Sequence, residues 1–452
     1  MSSFTSVSDA LSEDRRWRRV LRLYAAITVV AGLALGAILL ILDPYDTGRF
    51  ALFPAGGVAN YGSRLALASI GLVFYSYVLY PFVLLGVAAV GQALRDAAFV
   101  WAKRDRRNPR DPDWPAVAIV IAAYNEERHI GARIENLRAL DYPAELLRAY
   151  IGSDGSTDGT AGELTRLADE RIQACIFEAN RGKVSVLNDL VDRCHEPIVI
   201  FSDANTMFDP QAVRRLVAHF DDPDIGGVSG ELRLRASAGG RNQDSLYWRV
   251  EQFLKFFEGR IGGLLGANGA IYAIRRSLWE PLAPETICDD FCIAMNVAAA
   301  GHRLVYEPQA WAEEDTPEEI GEEYRRRLRI GIGNFQALFW HSEYLLATSP
   351  ATKFTYLSHK VLRWLGAHLL VVGLAASLAL APGSTGWTLF AILQLCAYAA
   401  AALSYRASEM GVRLPGPLRV CAFLFALHWA FLVASWRFAR GQYGGAWRRS
   451  SR

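Results

Sequence analysis

Four stretches of this 452-residue chain are almost free of charge. Leu23 to Leu42 and Leu65 to Leu94 carry no charged side chain. Trp364 to Tyr405 holds only His368, and Val420 to Trp436 only His428. A membrane-spanning helix needs about 20 consecutive apolar residues. The third stretch is long enough for two, divided by the turn Ala381-Pro382-Gly383-Ser384-Thr385-Gly386. The pattern predicts two spans before a central domain and about three after it. The last is short enough to lie in the interface instead.

Between these groups the period changes. Short apolar runs alternate with polar stretches of helical period. Strands are predicted at Ala116 to Ala122, Arg148 to Gly152, Ile172 to Phe177 and Pro197 to Phe201. Helices are predicted at Glu126 to Leu140, Ala161 to Asp169 and Lys183 to Cys194. The first helix stops at Asp141-Tyr142-Pro143, because proline cannot continue it. Alternation of near-continuous apolar strands with helices implies an α/β domain with a mostly parallel sheet covered on both faces.

Composition agrees with this division. At 52% hydrophobic the chain is too apolar for one soluble enzyme, and at 21% charged it is too polar to lie wholly in a membrane. The net charge of +2 is uninformative, but its placement is not. Arg15, Arg16, Arg18 and Arg19 precede the first span, and Lys103, Arg104, Arg106, Arg107 and Arg110 follow the second. Basic flanks favour the cytoplasm, so both ends of the first hairpin, and the domain after it, are expected there. Three C-terminal spans would put Arg437, Arg440, Arg448, Arg449 and Arg452 outside, against that bias. The N-terminal run lacks an evident small-residue cleavage site and reads as a retained anchor. The six cysteines form no CxxC pair, and free thiols are expected.

The loops after the four strands hold the candidate chemistry. They read Tyr124-Asn125-Glu126-Glu127, Ser153-Asp154-Gly155-Ser156-Thr157-Asp158, Asn180-Arg181-Gly182-Lys183 and Ser202-Asp203-Ala204-Asn205. In open parallel sheets, ligands bind at the carboxyl ends of the strands. One such loop is ordinary turn chemistry; four on one rim point to a site. Asp203 and Asn205 offer oxygen ligands suited to Mg2+ or Mn2+, which share coordination with substrate phosphates. Lys183, at a helix start, suits a phosphate. Neither GxxxxGK[ST] nor a GxGxxG after the first strand is present, which argues against a P-loop and a dinucleotide fold.

In this order and spacing, YNEE, SDGSTDGT, NRGK and SDAN resemble an inverting family 2 glycosyltransferase. Gly266 to Arg276, which begins Gly266-Ala267-Asn268-Gly269-Ala270, resembles the acceptor-side segment of its membrane-bound, polysaccharide-synthase-like members. Ile287-Cys288-Asp289-Asp290-Phe291 sits where they carry Thr-Glu-Asp, and Glu323 to Arg329 where they carry QRxRW. The resemblance implies a GT-A domain, Rossmann-like with a mostly parallel sheet, inserted between transmembrane α-helices. The implied organisation is a cytoplasmic segment at 1–22, two spans in 23–95 and a basic linker at 96–114. The GT-A domain follows at 115–345, then an interfacial amphipathic helix at 350–363, about three spans in 364–437 and a basic tail at 438–452.

The resemblance also assigns roles. Tyr124 and Glu126 line the base and ribose pocket of a nucleotide-sugar. Asp154 contacts the uracil or ribose, and Lys183 the base or diphosphate. Asp203, with Asn205, binds a divalent metal. Asp290 is the general base. Asp289, Arg327, Arg329, Gly266 and Asn268 serve the diphosphate or the acceptor. The expected partners are a nucleotide-sugar donor, a glycan or lipid acceptor and the membrane, with no nucleic acid. Five spans are few for a polymer channel, which leaves room for an accessory subunit. The expected location is the inner (cytoplasmic) membrane.

The chain departs from the family pattern at three points. SDAN replaces DxD, Arg326 takes the glutamine position and Ile330 the tryptophan position. That tryptophan holds the acceptor sugar in polysaccharide synthases, so its absence weakens the processive reading. Trp340 and Phe335 are the nearby substitutes, although such aromatics near a bilayer usually serve packing. Two alternatives stand beside a polysaccharide synthase: a non-processive transferase acting on a lipid-linked acceptor, and a non-catalytic scaffold or nucleotide-sugar sensor. The basic stretch Thr352 to Leu365 places His359 and Lys360 in the interface.

Overall fold

The computed structural model describes residues 58–102, 114–235, 245–315 and 320–442. The first apolar run, Leu23 to Leu42, lies outside the described residues, as do the N-terminal arginines, most of the 96–114 linker, and Arg448, Arg449 and Arg452. The chain divides into two compact units, Met1–Pro81 with Gly366–Phe425, and Phe82–Leu365 with Ala426–Arg452.

Among the described residues, four helices are long and apolar enough to cross a membrane: Gly62–Ala98, Gly366–Gly383, Thr385–Glu409 and Gly416–Ala439. The last is longer than the apolar run Val420 to Trp436 suggested, and its 24 residues suffice for a crossing. Within the helical unit, Gln394 Nε2 donates to Ser377 Oγ at 2.8 Å, a buried polar pair of the kind that holds apolar helices together.

The second unit is built on one sheet. Its strands are β1 (Val117–Ala123), β2 (Leu147–Asp154), β3 (Ile172–Phe177), β4 (Ile198–Asp203), β5 (Met207–Phe208), β6 (Ile225–Arg235), β7 (Tyr272–Arg275) and β8 (Arg303–Asp315). Their spatial order is β3-β2-β1-β4-β7-β6-β8-β5. The first four strands run parallel. β7 runs antiparallel to both β4 and β6, whereas β6 and β8 are parallel. Connecting helices are α1 (Glu127–Arg138), α2 (Thr160–Leu167), α3 (Lys183–Arg193), α4 (Ala212–Val217), α5 (Ser245–Ile261) and α6 (Asp289–Ala299). After β8 come α7 (Ile320–Trp340) and the short α8 (Pro350–Thr355).

All seven residues of β1 are buried, because both faces of the sheet are covered. Side chains alternate between the faces. Val117, Ile119 and Ile121 pack with Ile130, Ile134 and Leu137 of α1 on one side. Ala118, Val120 and Ala122 pack with Val186 and Leu190 of α3 on the other. The chain leaves β1 toward β2 on one flank and returns to β4 on the other. This reversal is the switch point at which open α/β sheets bind ligands. In β4, five residues are buried and Asp203 emerges half-buried at the carboxyl end. The apolar run stops at a carboxylate because there the strand leaves the core for the rim.

Candidate active site

The first two loops are tied together. Asn125 adopts φ +56°, alone among the described non-glycine residues in having a positive φ. Its Oδ1 accepts from Thr157 N–H at 2.8 Å, and its own N–H donates to Ser156 Oγ at 3.2 Å. The Glu126 N–H donates to Thr160 Oγ1 at 2.8 Å. Tyr124 and Glu126 are thus held, partly exposed, at the rim.

Asp154 ends β2 fully buried. Its two oxygens accept the N–H groups of Arg181 and Gly182, both at 2.9 Å. This carboxylate shapes the NRGK loop and fixes where α3 begins. Gly155, at φ +62°, admits the approach of that loop: a β-carbon there would collide with the backbone of Ala179 and Asn180.

Lys183, the first residue of α3, is the hub of the rim. Its Nζ lies 2.9 Å from Asp203 Oδ1 and 3.3 Å from Asp289 Oδ2. Burial works against its charge, but Asp203 and Asp289 outweigh burial and hold the pKa above the usual lysine range. Behind Asp203 lies a second cation that the sequence did not reveal. Arg133 of α1 is fully buried, donates to Ser202 Oγ at 2.9 Å and to Asn136 Oδ1 at 2.6 Å, and stacks 4.4 Å over Phe208. Burial pulls its pKa down to about 9, opposed by Asp203, so it stays charged at neutral pH.

Asp289 and Asp290 open α6, where the helix N-terminus favours negative charge. Asp290 Oδ1 accepts from the Phe291 N–H at 2.8 Å. Burial first, then the neighbouring Asp289, push the Asp290 pKa up to about 6, with Lys183 pulling the other way. A carboxyl in that range is poised for proton transfer near neutral pH. The GANGA segment faces it: a β-carbon on Gly269 would sit 3.1 Å from Asp290 Oδ2. The segment is pinned to β6 by the Asn268 N–H, which donates to Ser229 Oγ at 3.0 Å. Gly266, at φ +70°, packs over Phe291.

Helix α7 docks on the loop before Asp289. Gln336 accepts from the Ile287 N–H at 3.1 Å and donates to Glu285 O at 3.0 Å. A β-carbon on Gly333 would meet Cys288 Sγ at 2.5 Å, so only glycine allows this seating. Neither residue stood out in the sequence, because a glycine and a glutamine inside a helix mark nothing until the partner is known. Arg327 is half-buried, and Arg329 is exposed, its charge opposing the burial that pushes the Cys288 thiol well up. Phe335 is buried and stacks on Phe438, and Trp340 also packs on Phe438, so both serve as packing residues here.

Among the described residues, no three His, Cys, Asp or Glu side chains converge into a metal cage. Asn205 Nδ2 donates to Glu314 Oε1 at 2.9 Å. The donor set fits a shared site rather than a closed one. Asp203 is a third exposed at the carboxyl end of β4, and hard divalent ions are commonly held by one or two carboxylates plus substrate phosphates. The charge balance favours such an ion: a diphosphate arriving beside Asp203, Asp289 and Asp290 would find Lys183 as the cation that pairs with two of them.

Residues 115–333 match the model of glycosyltransferase-like family 2. The poly-β-1,6-N-acetyl-D-glucosamine synthase of Staphylococcus aureus (strain COL) is 26% identical over 232 residues, covering 49% of this chain and 55% of that protein. The synthase of the same name from Staphylococcus epidermidis is 25% identical over 234 residues, covering 50% and 56%. The chain therefore spans about half the length of the curated relatives it matches. A mannosyltransferase from Pyrobaculum calidifontis, solved with GDP-Man and Mn2+, superposes with a TM-score of 0.61 at 21% identity, covering 84% of this chain and 99% of that one. That likeness establishes the fold. Over residues 115–333 this chain is similar to glycosyltransferase-like family 2, and its central domain has a GT-A fold.

Proposed function

We propose that this chain is a membrane-embedded inverting glycosyltransferase that moves a sugar from a nucleotide-sugar, a UDP-sugar, onto a growing cell-envelope or extracellular polysaccharide. The observation that carries the reading is Asp290. Its carboxyl stands in the first turn of α6 against Gly269, next to the Asp289 that shares Lys183 with Asp203, and burial and Asp289 push it up to about 6. In this reading Asp290 takes the proton of the acceptor hydroxyl as that oxygen attacks the anomeric carbon. The bond to the nucleoside diphosphate breaks on the opposite face, and one displacement inverts the centre. Lys183, Arg327 and Arg329 meet the negative charge that builds on the leaving diphosphate. Asp203, supported by Asn205, would hold a Mg2+ or Mn2+ ion, which would neutralise that same charge. Tyr124, Glu126 and Asp154 shape the nucleoside pocket. Gly266, Asn268 and Asp289 border the acceptor side.

The four membrane-length helices and the basic flanks of the first hairpin support a multi-pass protein of the cytoplasmic membrane with its catalytic domain inside. The test is product length. Purified protein given donor and metal should yield a ladder or a high polymer on a gel. A second reading, one transfer to a lipid-linked acceptor, is favoured by Ile330, an exposed aliphatic where an acceptor-stacking tryptophan is expected. It predicts a single mass increment by mass spectrometry, and that result would displace the polymerase reading.

A further inference from the structure

The stretch after α7 contains a buried charge cluster that the reaction scheme does not use. The π-helical turn Tyr356–Val361 follows α8 directly. Such turns inside α-helices recur at functional sites. Here one face carries charge. His359, 1% exposed, sits between two carboxylates of α5: Nδ1 is 2.6 Å from Glu258 Oε1 and Nε2 is 3.2 Å from Glu251 Oε1. Arg363 Nη1 donates to Glu251 Oε1 at 2.8 Å, and Lys360 Nζ reaches its Oε2 at 3.4 Å. This corrects the expectation that His359 lies in the membrane interface. A basic stretch reads as interfacial when its acidic partners are about a hundred residues away in sequence.

The other face carries aromatic rings. Tyr356 and Trp364 pack on Phe291 with ring centroids 6.0 and 5.8 Å away, and Phe291 follows Asp290 in the chain. The same stretch also grips the loop leading into the GANGA segment, since Thr355 Oγ1 donates to Gly263 O at 2.6 Å. On α5, Lys255 lies between Glu251 and Glu258 in sequence and feels the charge of Asp290, so the charged face also borders the general base. Burying so many charges is costly unless each is paired, and breaking one pair in such a cluster is strongly destabilising.

Resting on the assignment of Asp290 as general base, we propose that His359 is a positioning residue. By clamping the 350–364 stretch onto α5 it fixes the aromatic packing around Phe291, and with it the placement of the Asp290 carboxylate against the acceptor. His359 touches no substrate. Misplacing a reacting group by about 1 Å costs on the order of 100-fold in rate.

The test uses full-length protein in detergent, with steady-state turnover and UDP binding measured in parallel. His359→Ala should lower kcat at least tenfold while the Kd for UDP and the donor KM change less than about threefold. Free imidazole should restore part of the lost turnover, because the clamp leaves a cavity of its own shape. If His359→Ala fails to fold, Glu258→Gln keeps a hydrogen bond to the ring, weakens the clamp and should show the same split in smaller measure. Turnover within twofold of wild type in either variant would overturn the proposal, as would UDP affinity falling in step with turnover. An inactive wild-type protein would overturn the transferase reading first, and this inference with it.

Discussion

Replacing Asp290 with asparagine should abolish turnover and also make the protein more stable at pH 8. Burial and Asp289 raise the folded-state pKa from 3.8 to about 6, so between those values the folded protein binds more protons than the unfolded chain. Stability is then lost as pH rises through this window. At 1.36 kcal/mol per pH unit the loss is about 3 kcal/mol above pH 6, and about half of it is present at pH 5. Asparagine keeps the shape, can still accept the Phe291 N–H, and carries no charge to bury. The gain belongs to the domain transition and is worth several degrees in Tm at this size. Tryptophan-fluorescence melts of both proteins at pH 5 and pH 8 measure it. A variant that melts no higher than wild type at pH 8, or by the same margin at both pH values, would refute the burial argument.

Turnover itself should fall as pH drops through about 6, because the base must be ionised; a profile flat from pH 5 to 8 would exclude Asp290 from that role. Gly269→Ala places a methyl against Asp290 Oδ2 and should cut turnover about tenfold or more, with UDP affinity retained by calorimetry. Arg133→Ala empties a fully buried site over Phe208 and takes the donor from Ser202 and Asn136, and should cost about 2 kcal/mol in denaturant unfolding, whereas Arg133→Met, which fills the space without a charge to bury, should cost less.

Half of the sheet could be read from the chain. β1 and β4 are near-continuous apolar runs because helices cover both faces, β2 and β3 are interrupted only by Arg148 and Gln173 among short apolar segments, and the loops after all four announce the rim. The other half could not. β6, IGGVSGELRLR, is weakened by glycines, β7 has four residues, and β8 is interrupted by Pro308. These strands are held by pairing across the sheet rather than by their own pattern. The site divides the same way. Lys183 and Asp203 stand at the ends of legible elements, so their meeting follows from the topology. Arg133 looks like any surface arginine of an amphipathic helix until Ser202 is seen to face it. His359 and Glu258 are 101 residues apart, a separation at which no local pattern signals a pair.

The central claim is that Asp290 serves sugar transfer from a nucleotide-sugar on this rim. Its most direct test is nucleoside-diphosphate release by the purified protein, with Mg2+ or Mn2+, across a panel of UDP- and GDP-sugars and with lipid and oligosaccharide acceptors present. The account predicts release with one UDP-sugar, dependent on the metal and absent in Asp290→Asn. Release that persists in Asp290→Asn, or no release from any donor, would contradict it.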